Sequence, residues 1–183
     1  MKSIFIFSIT LILFSCGTKT IVFEDGIKGE GRHRNNQKEG KWVFTKDGKL
    51  NSIGKYSNGK QTGKWIHFYA NGKIHQKGNF QNDKQNGIWK FYYETGSFMG
   101  VGQITNDKQN GLWNWYYKNG RLYTERIHED GKLIEIKSCF DKNGNLLDCG
   151  KLINGNGYLL YHDIDNESDT IQKFEYENGI FKK

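Results

Sequence analysis

Hydrophobic and polar positions recur in one pattern that is written three times between Gly54 and Tyr117. Each copy opens on a glycine and reaches a second glycine nine residues later. A tryptophan follows two residues after that, then further aromatic residues and a polar turn. The three tryptophans, Trp65, Trp89 and Trp113, are 24 residues apart. A fixed period of this length indicates a repeat protein.

Turn residues extend the same period outward along the chain. One set is Gly48, Gly72, Gly96, Gly120 and Gly144, and the alternate set is Gly59, Asp83, Asp107, Gly131, Gly155 and Gly179. The segments between them are rich in aromatic residues and contain no proline, which favours strands. Asn-Gly and Asp-Gly at the turns favour type I′ hairpins. We therefore predict an all-β fold, an elongated single antiparallel sheet of stacked β-hairpins.

Alternation along each predicted strand separates two rows of aromatic residues, because successive side chains point to opposite faces of a sheet. A two-residue turn at Asn71-Gly72 places Trp65 opposite Gly78, so we predict that the tryptophans form a packing row over glycines. Its members are Trp65, Trp89 and Trp113. In the third copy Arg126 is opposite Trp113, which allows a guanidinium-on-indole contact.

The other row, on the opposite face, is a candidate binding face. It consists of Phe68, Tyr92 and Tyr116. Tyrosine is enriched at interfaces, so evenly spaced tyrosines favour partner binding. The alternative is that this row only stiffens the sheet through contacts between strands.

The repeated string Gly-x-Trp-x-x-Tyr-x-x-Asn-Gly resembles the MORN repeat in its bacterial variant form, from Gly31 to Gly155. The resemblance implies a non-catalytic protein-binding or scaffold module. It also allows an immunity- or antitoxin-like inhibitor of a toxin.

The first residues indicate export. Lys2 precedes an apolar run, Ile4 to Phe14, that is too short to span a bilayer, so we expect a signal peptide over residues 1–15. Leu13-Phe14-Ser15-Cys16 resembles the lipobox of bacterial lipoproteins, which implies lipidation of Cys16. Gly17 after the cysteine implies the outer membrane. The alternative is an ordinary signal peptide with an incidental cysteine.

The composition divides the remaining chain into two parts. We expect residues 16–37 to form a lipidated N-terminus and flexible tether, because their glycines and charges bury little apolar surface. Residues 38–183 are expected to form the repeat domain, which becomes degenerate after about residue 125. Atypical terminal units are typical of capped arrays.

The charge and the candidate chemistry point away from catalysis. The net charge is +7, and most lysines lie at predicted turns, where they protect sheet edges or approach anionic headgroups or an acidic partner. An exported chain is not expected to bind nucleic acid. The sequence has no catalytic motif, and its five histidines lack metal-ligand spacing. His67 and His75 are predicted on opposite faces. We expect no enzyme activity, no cofactor and no metal.

Cys139 and Cys149 remain as a pair if Cys16 carries lipid. They lie symmetrically about Gly144, and an odd-numbered hairpin loop would bring them face to face. In an oxidising compartment this spacing favours a disulfide. The alternative is two buried thiols.

Overall fold

The computed structural model describes residues 17–162 and 171–182, and all of its regular elements are β-strands. The first twelve are β1 (Gly17–Val22), β2 (Lys28–Arg34), β3 (Gln37–Lys46), β4 (Lys49–Ser57), β5 (Lys60–Phe68), β6 (Ile74–Gln81), β7 (Lys84–Gln85), β8 (Gly87–Tyr92), β9 (Phe98–Thr105), β10 (Lys108–Tyr116), β11 (Leu122–Glu129) and β12 (Lys132–Cys139). The last four are β13 (Gly150–Ile153), β14 (Asn156–His162), β15 (Ile171–Glu177) and β16 (Ile180–Phe181). Among these residues there is no helix able to cross a bilayer. The predicted signal peptide and Cys16 lie outside the described residues.

The strands follow one another across the sheet in chain order. Strands β1 to β12 form one open antiparallel sheet, with the short β7 paired to β6. This confirms the predicted long antiparallel sheet of hairpins. Strands β13 to β16 form a second sheet of four strands. Lys137 occupies the position where the period would place the next tryptophan, so the break follows the loss of the repeated ring.

The alternate set of turns has the predicted type I′ geometry. These turns contain two residues, and both have positive φ, as in Asn58 (50°) with Gly59 (78°) and Asn82 (52°) with Asp83 (67°). Asn and Asp tolerate this left-handed region better than most residues do. These turns also bond to strand residues of the preceding repeat, as when the Asp83 N–H donates to the Gln61 carbonyl of β5 at 3.2 Å.

Most turns at the other edge differ from the prediction. The Tyr69 N–H donates to the Lys73 carbonyl at 2.8 Å and closes a three-residue loop, where we had expected a two-residue turn. Alone, this loop would shift the register by one residue. A β-bulge beside it absorbs the shift, so that Trp65 still pairs with Gly78. The extra residue is His75, because Phe68 pairs with Ile74 and His67 with Gln76.

The first described residues form strands where we had predicted a flexible tether. Strand β1 pairs with β2 along its whole length, and β2 pairs with β3. Gly29 and Gly31 lie under the rings of Phe44 and Trp42, where a Cβ atom would overlap the ring. The glycines that suggested flexibility therefore provide space for rings of the next strand, and the described residues are part of the sheet from Gly17 onward.

The junction between the two sheets is bridged by backbone bonds and by a disulfide. The Gly155 N–H donates to the Ile134 carbonyl at 2.8 Å, and the Gly179 N–H donates to the Gly155 carbonyl at 2.8 Å. Cys139, at the end of β12, is bonded to Cys149, just before β13, with 5.7 Å between their Cα atoms. The loop between them has the same three-residue form as its counterparts, but it is centred on Asn143 and not on Gly144 as predicted. The residue opposite Cys139 is therefore Leu147, whose N–H donates to the Cys139 carbonyl at 2.9 Å.

Candidate binding surfaces

The tryptophans are the most deeply buried part of the long sheet. Trp42, Trp65, Trp89 and Trp113 are no more than 1% exposed. Each indole lies on a glycine of the preceding strand, and each pair is 11 residues apart in the chain. The pairs are Gly31 with Trp42, Gly54 with Trp65, Gly78 with Trp89 and Gly102 with Trp113. The tryptophans thus pack adjacent strands together.

The direction in which these rings lean differs from the prediction. Trp65 is in register with Gly78, as predicted. Its ring nevertheless covers Gly54 on the other side, and its Nε1–H donates to the Lys55 carbonyl at 3.2 Å. Trp89 donates in the same way to the Asn79 carbonyl. Register fixes which backbones are adjacent, but the rotamer decides which neighbour a ring covers.

Because the Trp113 ring has the same orientation, toward the preceding strand, it does not make the expected contact with Arg126. These residues are paired in register, but the Trp113 ring turns toward Gly102. The Arg126 guanidinium instead lies over the Tyr123 ring, 5.9 Å from its centroid. The predicted guanidinium-on-indole contact is therefore wrong.

A second line of rings accompanies the tryptophans on the same face. It lies two residues further along each strand, at Phe44, His67, Phe91 and Trp115. Phe91 contacts both Trp113 and Trp115, with centroids 5.8 Å apart in each case. Each strand contacts mainly its neighbours in the sheet, and Phe23 of the loop between β1 and β2 packs on Phe44 with ring centroids 6.3 Å apart. Alternation along each strand predicts His67, Phe91 and Trp115 on the tryptophan face, where the structure has them.

Tyrosine hydroxyls join successive hairpins near one edge. The Tyr69 hydroxyl donates to the Tyr92 carbonyl at 2.8 Å, and Tyr93 donates to the Tyr116 carbonyl at 2.7 Å. Tyr117 repeats the contact on Phe140 at 2.7 Å. Burial raises the pKa of Tyr117 to about 12, so it stays a neutral donor. These tyrosines are structural.

The predicted binding row lies on the opposite face, and all three of its side chains are half-buried. Phe68, Tyr92 and Tyr116 retain exposed ring surface. Phe98 lies between the two tyrosines, with centroids 5.7 Å from Tyr92 and 5.1 Å from Tyr116. The row therefore both contacts the neighbouring strand and offers surface to solvent.

A stripe of lysines adjoins this row, and sequence analysis missed it because it considered only lysines at turns. The lysine stripe comprises Lys41, Lys55, Lys64, Lys77 and Lys90. Lys41 pairs directly with Lys55, and Lys77 with Lys90. The Lys77 ammonium also lies 5.0 Å from the Tyr92 ring centroid, which connects the stripe to the aromatic row. No ion pair in residues 17–162 or 171–182 includes a lysine of the stripe.

The tryptophan face contains a cleft of about 710 Å³ near the start of the sheet. The loop between β1 and β2 forms one wall, with Phe23, Glu24 and Asp25. Phe44, Tyr56, Trp65 and His67 are among the residues that line the rest. Sequence analysis could not identify this cleft, because it assigned the loop to the tether.

The histidines do not separate as predicted. The bulge takes His75 out of register with Phe68, and its ring packs on Tyr69 at a centroid distance of 4.6 Å. Burial lowers the pKa of His67, and the nearby His75 adds to the effect. Burial and then the charge of Arg126 lower the pKa of His128 to about 4. In residues 17–162 and 171–182, no three His, Cys, Asp or Glu side chains form a group suited to a metal.

An open sheet of period-24 hairpins, with a tryptophan packed on a glycine in four successive units, defines a β-hairpin repeat protein. The family model for the MORN repeat variant matches residues 61–82, 85–97 and 109–128. These segments support a MORN-repeat protein, as the sequence resemblance implied. MORN repeats are a non-enzymatic module that commonly binds proteins or lipids. No curated protein matches the chain significantly.

Proposed function

We propose that this protein is an envelope-anchored lipoprotein and that its MORN-repeat sheet is a non-catalytic module for binding or scaffolding another protein. The lipobox resemblance at Cys16 supports the anchor, since stable attachment needs more than one acyl chain and a lipoprotein cysteine provides them. With such an anchor the repeats lie beside the membrane, and an outer-membrane location is the one that Gly17 implies.

One observation carries the binding part of the proposal: the lysine stripe adjoins the exposed aromatic row. Like charges directly opposite each other destabilise a sheet, yet Lys41 pairs with Lys55 and Lys77 with Lys90. A partner with an acidic surface would neutralise both pairs. The rings of Tyr92 and Tyr116 would supply apolar contact beside these charges. Aromatic residues such as tyrosine are enriched at protein interfaces, and complementary charge beside them gives specificity for an acidic partner.

A capture experiment tests this surface. The wild type, a Tyr92→Ala/Tyr116→Ala variant and a Lys64→Glu/Lys90→Glu variant are each used to recover partners from envelope extract. Central interface tyrosines contribute about 1–2 kcal/mol or more each to the free energy of binding, so the tyrosine variant should recover much less partner. The lysine variant should also recover much less. Lys151→Glu, an exposed lysine on the second sheet, is the matched control and should recover the wild-type amount.

The outcome depends on variants that remain folded, which circular dichroism and thermal melting check. Folded variants that recover the same partners at the wild-type yield would place the binding surface elsewhere. The recovered partner also separates the alternatives. A toxin neutralised by this protein would indicate an immunity- or antitoxin-like role, whereas co-sedimentation with anionic vesicles alone would indicate a lipid surface.

A further inference from the structure

The ammonium group of Lys38 lies among four aromatic rings. Its Nζ is 4.8 Å from the ring centroid of Tyr56, 5.0 Å from Trp42, 5.2 Å from Phe23 and 5.5 Å from Phe44. Cations within about 6 Å of a ring centroid are attracted by the negative face of the ring. These rings come from β3, β4 and the loop between β1 and β2, so only the folded sheet assembles them.

Three of these rings also line the neighbouring cleft. Phe23, Phe44 and Tyr56 line the cavity of about 710 Å³, which is within the usual size range of small-molecule sites. The cleft therefore has the same wall that already holds an ammonium group.

The charged residues that line the cleft also favour a positive ligand. They are Glu24 and Asp25, and no lysine or arginine is among the described lining residues, so the Lys38 ammonium against three of the rings is the cation that a ligand meets there. The cleft's one histidine, His67, has a pKa lowered by burial and is neutral at neutral pH.

We propose that this aromatic cleft is a binding site for a small organic cation with a quaternary ammonium head. Phe23, Phe44 and Tyr56 contact the head, and the carboxylates of Glu24 and Asp25 balance its charge. Lys38 is the resident cation, which the ligand displaces or approaches closely. A quaternary head is favoured over a primary amine because it is weakly hydrated, whereas a lysine ammonium is strongly hydrated.

This site is independent of the proposed protein-binding surface. It lies on the tryptophan face, and the lysine stripe lies on the other face. Removing the Lys38 charge should change the affinity for a cationic ligand and the affinity for an anionic ligand in opposite directions. A cation should bind more tightly without Lys38, because a like charge is lost from the rings. An anion held by Lys38 should bind more weakly.

The test is a titration of the purified full chain with choline, followed by intrinsic tryptophan fluorescence and by calorimetry. The neutral isostere 3,3-dimethylbutan-1-ol has the same shape without the charge. Choline should bind more tightly than the isostere by about 2–30-fold, the range that a cation–π contact supports. Lys38→Met keeps the length of the side chain and should tighten choline binding. Lys41→Met, on the other face, should leave it unchanged.

Phe23→Ala completes the design. Phe23 is in a loop and is 38% exposed, so its removal should leave the sheet folded while weakening choline binding. Equal binding of choline and its isostere would overturn the proposal. So would weaker choline binding by Lys38→Met, no saturable choline binding by that variant, or wild-type affinity in a folded Phe23→Ala variant.

Discussion

Gly78→Ala tests how the tryptophan row holds the sheet together. A Cβ atom at Gly78 would overlap the Trp89 ring, whereas the ring of Trp65, its partner in register, lies elsewhere. Trp89 cannot easily move away. Its Nε1–H is bonded to the Asn79 carbonyl at 3.2 Å, and its ring packs against Phe80 at a centroid distance of 5.4 Å.

The sign of the change in the free energy of unfolding of Gly78→Ala shows whether the new methyl group clashes with the Trp89 ring. Replacing glycine by alanine without a clash stabilises a protein by about 0.4–1 kcal/mol, because the unfolded chain loses freedom. Overpacking a closed site costs about 1–3 kcal/mol. We therefore expect Gly78→Ala to lower the free energy of unfolding by about 1–3 kcal/mol. Trp89→Ala should lower it by about 3–5 kcal/mol.

Double-mutant cycles assign the clash to one ring. In the cycle with Trp89→Ala the clash disappears, so the coupling should be about 1–3 kcal/mol. In the cycle with Trp65→Ala it should be smaller, below about 0.5 kcal/mol. Urea unfolding followed by circular dichroism and by the remaining tryptophans gives the free energies. Coincident transitions would support two-state analysis.

Ile88→Ala is the control, because Ile88 adjoins Trp89 in sequence and is 52% exposed. It should change the free energy of unfolding by less than about 1 kcal/mol. The reasoning would be refuted if Gly78→Ala stabilised the protein, or if it coupled to Trp65 more strongly than to Trp89. A loss under about 1 kcal/mol in Trp89→Ala would show that the row does not form the core.

The remaining predictions concern the anchor, pH and the disulfide. Cys16→Ser should release the protein from the membrane fraction or leave an uncleaved precursor, and wild-type fractionation and migration would contradict the lipobox. The pKa of His128 is about 4 in the folded protein and about 6.5 when unfolded, so the unfolded chain binds the extra proton first. Stability should therefore fall as pH drops from about 6.5 toward 4, by at most roughly 3 kcal/mol before solvent screening is considered. His128→Phe should flatten this slope in urea titrations, and an unchanged slope would refute the assignment. Cys139→Ser/Cys149→Ser should cost about 2–3 kcal/mol, and mass spectrometry that finds two free thiols in the unreduced wild type would contradict the bond.

The sequence by itself determined the repeated strands after residue 37, their order and the alternate turns, but not β1 and β2 or the separate second sheet. The features that it determined follow from local rules. The period of 24 residues can be read directly from the chain. Alternation along each strand and the preference of Asn and Asp for positive φ at turns each depend on only a few neighbouring residues. Even the pairing of Trp65 with Gly78 could be predicted, although the loop that produces it contains three residues and a bulge compensates for the difference.

Only the tertiary structure decided which neighbour each ring covers. Trp65 lies between two glycines, Gly54 and Gly78, on adjacent strands. The sequence does not indicate which of the two its ring covers. The choice depends on the rotamer and on contacts made by strands on both sides. For the same reason Arg126 contacts Tyr123 and not Trp113.

The candidate cation site was also beyond the sequence. Phe23 belongs to the segment, residues 16–37, whose composition indicated a flexible tether, and its ring meets the Lys38 ammonium only when β1 and β2 join the sheet. Composition measures how much apolar surface a segment has, but not whether a neighbour offers it a place to pack. Gly29 and Gly31 of β2 leave space for the rings of Phe44 and Trp42 of β3. A segment with few apolar side chains of its own is therefore ordered by the apolar side chains of the next strand.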